Sequence, residues 1–121
     1  MGKRILIIDD DKDILEALQD LLEMEGYTVR LSPRGDNVIE EIASFRPGVI
    51  LLDLLLSGKD GATICREIKR TEHIKHIPVL IMSAHPYAQK AIERSGASEF
   101  LRKPFDVEQL LDLLTKYIAS A

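Results

Sequence analysis

Cysteine occurs once among the 121 residues, at Cys65, and tryptophan is absent. One thiol excludes a disulfide framework and a zinc site built on cysteines. No apolar run approaches the roughly 20 residues of a membrane-spanning helix. The N-terminus carries no secretory signal, because the apolar run Ile5 to Ile8 is short and stops at Asp9, Asp10 and Asp11. A myristoylation signal is also missing: Leu6 stands where Ser or Thr is needed. Neither sign of charge dominates. Sixteen basic residues against twenty acidic ones give a net charge of -4. That argues against nonspecific nucleic-acid binding by these residues. There is no linker, repeat or low-complexity tract. What is present is 45% hydrophobic and 30% charged, the balance of an ordinary globule. The length predicts one domain over residues 1–121, in a small cytoplasmic protein with no membrane contact.

Short β-branched apolar runs alternate with amphipathic stretches. Residues 4–9 read as a first strand, apolar on both faces as a central parallel strand is. Asp13 to Glu25 follows as a helix, with Ile14, Leu15, Leu18, Leu21 and Leu22 at helical spacing. Asp11 can cap it and Gly26 can end it. Strands follow at 28–31, 49–53, 78–83 and 99–102. Helices are expected at 37–45, 62–70, 87–95 and 106–118, the fourth opened by Pro86. Ser57 to Gly61 reads as loop. Five strands alternating with five helices predict an α/β fold with a parallel sheet covered on both faces. The chain is far shorter than the ~250 residues of a (β/α)₈ barrel, which leaves an open doubly wound sheet.

In such sheets ligands bind beyond the carboxyl ends of the strands. Strand one ends in Asp9-Asp10-Asp11, strand three in Asp53, strand four in Ser83 and strand five in Lys103-Pro104. Strand two has no such group. Clustered carboxylates repel unless a cation intervenes. All-oxygen ligands favour a hard cation such as magnesium. A carboxylate can itself be the nucleophile and form an aspartyl phosphate. A lysine and a hydroxyl complete a cradle for the transferred oxygens. Taken singly, each residue has a plainer reading: helix caps for Asp9, Asp10, Asp11 and Ser83, a turn residue for Asp53, a solvated lysine for Lys103, core for Phe100. Those readings do not predict four chemical types at the ends of different strands.

The ordered pieces Ile5-Leu6-Ile7-Ile8-Asp9-Asp10, Val49-Ile50-Leu51-Leu52-Asp53-Leu54, Asp60-Gly61, Val79-Leu80-Ile81-Met82-Ser83-Ala84, Gly96-Ala97 and Lys103-Pro104-Phe105 resemble the receiver domain of bacterial response regulators. The likeness runs from about Lys3 to Tyr117. It implies a flavodoxin-like five-stranded sheet of order 2-1-3-4-5 with five helices. It implies Asp53 as phosphoacceptor. Asp9, Asp10 and the backbone carbonyl of Leu55 would hold magnesium, or manganese, beside it. Ser83 would follow the phosphoryl group, Lys103 would pair with it across a cis bond to Pro104, and Phe100 would turn inward on activation. The implied donor is a phosphohistidine on a sensor histidine kinase or histidine phosphotransfer protein, with an unspecified downstream effector, in a monomer or weak homodimer. The resemblance also implies that Leu55 and His85, two residues beyond Asp53 and Ser83, would flank the path of a hydrolytic water.

The sequence departs from the family pattern at Leu56-Ser57, where Met-Pro is common, at Gly48, where an acidic residue is usual, and at Phe100, where Tyr is common. The segment between Ser83 and Gly96 is also short, at 12 residues, which shortens the fourth helix or the loop before it. Two rival readings exist. Asp9 and Asp11 mimic the D-x-D pair of haloacid-dehalogenase-like phosphatases, but that reading leaves Asp53 without a role. The other rival is a receiver-like interaction module independent of phosphorylation. Either a stand-alone regulator or the receiver of a longer chain fits the sequence.

Overall fold

The five apolar runs form the strands of one parallel sheet. The structure is a computed structural model that describes residues 3–56, 58–85 and 88–119. Its elements are β1 (Arg4–Ile8), α1 (Lys12–Met24), β2 (Thr28–Ser32), α2 (Val38–Phe45), β3 (Val49–Asp53), β4 (Leu55–Leu56), β5 (Lys59–Asp60), α3 (Gly61–Arg70), β6 (Val79–Ser83), α4 (Gln89–Ser95), β7 (Glu99–Arg102) and α5 (Val107–Ala119). The sheet order is β2-β1-β3-β6-β7. Numbering only these five strands, that is the expected 2-1-3-4-5.

Alternation along the strands divides the core in two. Leu6, Ile8, Ile50, Leu52, Val79 and Ile81 face α2, α3 and α4. Ile5, Ile7, Val49, Leu51, Leu80 and Met82 face α1 and α5, where Leu15, Leu18, Leu22, Leu110 and Leu114 are buried. Burying each such Leu or Ile contributes about 1.5–3 kcal/mol. The central strands β1, β3 and β6 therefore read as continuous apolar runs, because neither of their faces meets water.

Local signals set the helix ends. The Asp11 carboxylate accepts from Asp13 N and Ile14 N at the start of α1, and Gly26 takes a left-handed φ of 94° just past its end. The Asp106 carboxylate accepts from Glu108 N at 3.1 Å where α5 begins. The α4 helix has only seven residues, against 13 for α1 and α5, as the short segment after Ser83 requires. The expected opening of α4 at Pro86 and Tyr87 lies outside the described residues.

Two expectations need correction. The stretch read as loop from Ser57 to Gly61 contains β5, which pairs antiparallel with β4, and Gly61 already belongs to α3; Ser57 itself lies outside the described residues. Two-residue strands are too short to leave a periodic signal. Strand two also runs one residue further, and its end does carry a polar group. Ser32 is buried and its hydroxyl donates to the Glu41 carboxylate at 2.7 Å.

Candidate functional site

The sheet register brings the site together. Ile8 lies beside Leu52, so Asp9 and Asp53 leave the sheet side by side. Asp53 pairs with Met82 and Ser83 with Arg102, which places Ser83 and Lys103 one step beyond. The chain runs from β1 out to β2 and then back to β3 on the other side, so the crevice between the ends of β1 and β3 is the topological switch point of the sheet.

Asp9 is fully buried and Asp53 is 8% exposed. The Lys103 ammonium donates to Asp9 Oδ2 at 3.0 Å and to Asp53 Oδ1 at 3.2 Å. Asp9 Oδ1 accepts from Asp11 N at 2.9 Å, so both oxygens of Asp9 are engaged. No protein donor among the described residues holds Asp53 Oδ2. Carboxylate oxygens of Asp9, Asp10 and Asp53 lie within 4.8 Å of one another. Three hard oxygen donors with no nitrogen or sulfur suit a small divalent cation, magnesium above all.

Ser83 is buried, and its Oγ accepts from His85 N at 3.0 Å. Lys103 N donates to Ser83 O at 2.9 Å, and the Lys103–Pro104 bond is cis. Hydroxyl and ammonium thus stand on adjacent strand ends. Phe100 is half-buried and packs on the α2–α3–α4 side of the sheet. The Leu55 side chain is 61% exposed, between the buried Leu54 and Leu56. The capping reading holds for Asp11 alone of the three aspartates. That also removes Asp11 from the D-x-D role of a phosphatase, since its side chain is committed to the start of α1.

Asp60-Gly61 belongs to the family-like pieces, and its role is structural. Asp60 caps α3 by accepting from Ala62 N at 3.0 Å. Gly61 N donates to Leu54 O at 2.7 Å. A β-carbon on Gly61 would stand 2.3 Å from the Asp53 carbonyl oxygen. Only glycine lets α3 begin this close to the acceptor. The cap pattern was legible; the close approach was not.

A family model described as the response regulator receiver domain matches residues 5–115. The chain belongs to this family. The response regulator MprA of Mycobacterium ulcerans is 36% identical over 113 residues, covering 92% of this chain and 48% of that protein. The DNA-binding dual master transcriptional regulator RpaA of Synechocystis is 42% identical over 110 residues, covering 89% and 46%. The chain spans about half the length of the curated relatives it matches. Among solved structures, the receiver domain of the sensor histidine kinase PA1611 from Pseudomonas aeruginosa has a magnesium ion coordinated in its active site cleft. It superposes with a TM-score of 0.89 at 26% identity and covers 98% of this chain and 99% of that one. No helix among the described residues is long and apolar enough to cross a membrane.

The electrostatics of this receiver domain are those of a loaded cluster. Burial raises the Asp53 pKa above its ordinary value of 3.8, Asp9 and Asp10 raise it further, and Lys103 opposes them. Burial pulls Lys103 down, but its bonds and attraction to Asp9 and Asp53 outweigh that and its pKa rises. A carboxyl whose folded pKa lies above its unfolded one destabilises the fold at neutral pH. Asp53→Asn is therefore expected to raise stability in chelator at pH 7 by about 1 kcal/mol, or about 3–6 °C in Tm. The gain fades as pH falls through the raised folded pKa toward 3.8, because the wild-type carboxyl then becomes neutral too. Asp10→Asn gives a smaller gain, since Asp10 is exposed and its charge acts least on Asp53. Thermal melts across pH in chelator check both; a loss of stability in either variant would mean that the carboxylate supports the fold.

Proposed function

We propose that this receiver domain takes a phosphoryl group onto Asp53 from a phosphohistidine of a sensor histidine kinase or histidine phosphotransfer protein. The observation that carries this reading is the arrangement of Asp53. Its carboxylate is oriented through Oδ1 by Lys103 while no donor among the described residues holds Oδ2, inside a cluster of three carboxylates. Asp53 Oδ2 forms the new bond to phosphorus, the P–N bond to the donor imidazole breaks, and the electron pair leaves with that imidazole. Lys103 opposes the burial that favours the neutral form of Asp53. Ser83 and Lys103 then hold the transferred oxygens. Asp10, Asp53 and the Leu55 carbonyl would hold a magnesium ion, with Asp9 bound to Lys103 behind them. When bound, the ion neutralises the charge between phosphoryl group and carboxylates. The chain catalyses only its own phosphorylation and dephosphorylation. An apolar cleft lined by Ile14, Ala17, Leu18, Ala84, Pro104 and Phe105 opens beside Lys103, which suits a donor helix presenting its histidine to Asp53.

Incubation with acetyl phosphate and Mg²⁺, followed by intact mass, tests the chemistry. One phosphate is expected with Mg²⁺ and none in chelator. Equal labelling in chelator contradicts the metal reading. Residues 1–121 are read as a single receiver domain whose output is a change of partner surface: Ser83 moves toward the phosphate and Phe100 fills the space behind it.

The lifetime of the aspartyl phosphate follows from Leu55. This side chain offers no hydrogen bond to orient a water in line with phosphorus, so the near-attack arrangement is rare. Leu55→Asn is expected to hydrolyse about threefold to tenfold faster. The rate of phosphate loss after removal of the donor reads this, and an unchanged or slower rate overturns it. His85→Ala separates two roles for His85. Loss of pH dependence with a slower rate marks it as a base; a faster rate marks it as cover.

A further inference from the structure

The β4–β5 hairpin follows the acceptor directly and is not part of the five-stranded sheet. Its pairs are Leu55 with Asp60 and Leu56 with Lys59. A two-stranded ribbon of this length has little stability of its own, so its position is set by what holds it. Gly61 N bonds Leu54 O at its base. Leu56 is buried against the β2–α2 connection, where a β-carbon on Gly35 would meet Leu56 Cδ1 at 3.0 Å. The third hold is Lys59. Its ammonium forms an ion pair with the Asp36 carboxylate and donates to Gly35 O at 3.2 Å. Asp10, Pro33, Arg34, Asp36 and Lys59 line one cleft of about 370 Å³. Lys59 thus joins the hairpin that carries the Leu55 carbonyl to the β2–α2 connection, and both Lys59 and Asp36 line the same cleft as Asp10.

We propose that Lys59, anchored by Asp36 and the Gly35 carbonyl, is a positioning residue for the divalent-cation site, fixing the hairpin backbone beside the acidic cluster. The inference rests on the magnesium reading above. It has a competitor of opposite sign. An ammonium on the rim of an acidic cleft repels a divalent cation, so Lys59 acting by charge alone would weaken metal binding, and its removal would tighten it. Asp36 offsets that charge; the bond from Lys59 and its positive charge hold the Asp36 carboxyl below the usual carboxylate value. With the charge largely neutralised, the geometric role decides the sign. An exposed ion pair shifts an equilibrium by up to about fivefold, which sets the size of the effect.

The test uses the 121-residue chain and Mg²⁺ alone. Affinity is read from the rise of Tm with Mg²⁺ concentration. Amide exchange over residues 54–61 is read without metal. Lys59→Met and Asp36→Asn are each expected to weaken Mg²⁺ binding about fivefold and to speed exchange in the hairpin. The double exchange Lys59→Asp with Asp36→Lys rebuilds the pair in reverse and is expected to bring affinity within about twofold of wild type. An unchanged or tighter affinity in Lys59→Met, or a double variant as weak as the single ones, overturns the proposal while leaving the metal reading intact. A wild-type chain that binds no Mg²⁺ overturns the metal reading and the inference with it.

Discussion

Asp53→Ala is expected to take up no phosphate from acetyl phosphate and Mg²⁺, whereas the wild-type chain is expected to take up one. The expectation is all-or-none because the neighbouring carboxylates cannot substitute. Asp9 is fully buried and both its oxygens are occupied, one by Asp11 N and one by Lys103. Attack through either would break a bond that holds the cluster together. Asp11 caps α1. Asp10 is exposed, whereas the Lys103 ammonium bonds Asp9 and Asp53. A positioned nucleophile gains orders of magnitude over an unpositioned one, so residual labelling at the others falls below detection. Intact mass, then peptide mapping, measures this. A full phosphate on Asp53→Ala would mean that another aspartate is the acceptor. If that label mapped to Asp9, the phosphatase reading would return.

The largest change in stability is expected at Lys103. Its ammonium is the cation that the structure shows bonded to both Asp9 and Asp53. Lys103→Met keeps most of the side-chain volume and removes the charge, leaving buried carboxylates facing one another. Breaking a buried pair costs about 3–5 kcal/mol when the remaining charge stays in place. Here the cost has a ceiling, because a carboxyl can take up a proton instead. A loss of about 2–3 kcal/mol, or about 6–18 °C in Tm, is expected at pH 8 in chelator. The sign with pH is fixed. Without Lys103 the folded-state pKa of Asp53 rises further above its unfolded value, because the one group that lowers it is gone. The penalty is then full above the folded pKa and disappears as pH falls toward the unfolded one. The wild-type and Lys103→Met melts should therefore differ at pH 8 and draw together at about pH 4, near the unfolded value of 3.8. Asp9→Asn in the Lys103→Met background recovers most of the loss. An equal loss at both pH values would instead show that the aliphatic stem of Lys103 supports the fold by packing.

Much of this receiver domain is legible one segment at a time. Val49 to Asp53 and Glu99 to Arg102 are strands with the bounds their apolar runs suggest, and α1 starts and stops at Asp11 and Gly26 as their capping chemistry dictates. The errors fall where periodicity has too few residues to act, at the two-residue β4 and β5. Ser32 was missed because one polar residue after Leu31 looks like the start of a loop. Lys59 and Asp36 left no signal, since a lysine and an aspartate 23 residues apart on two connections resemble any solvated charges.

The sequence alone determined the alternation of strands and helices, the two-faced burial of the central strands, and which chemical groups follow each strand. These depend on residues near one another in the chain, where alternation, capping and turn preference act. Tertiary structure decided the rest. The register of β1 on β3 put Asp9 beside Asp53, and the order of the strands placed that pair at the switch point with Lys103 between its carboxylates. It also separated Asp11, a cap, from Asp9, a member of the cluster, although the two are nearly adjacent in sequence. Register and charge pairing depend on distances across the fold, because the Coulomb energy follows separation in space and burial rather than separation along the chain.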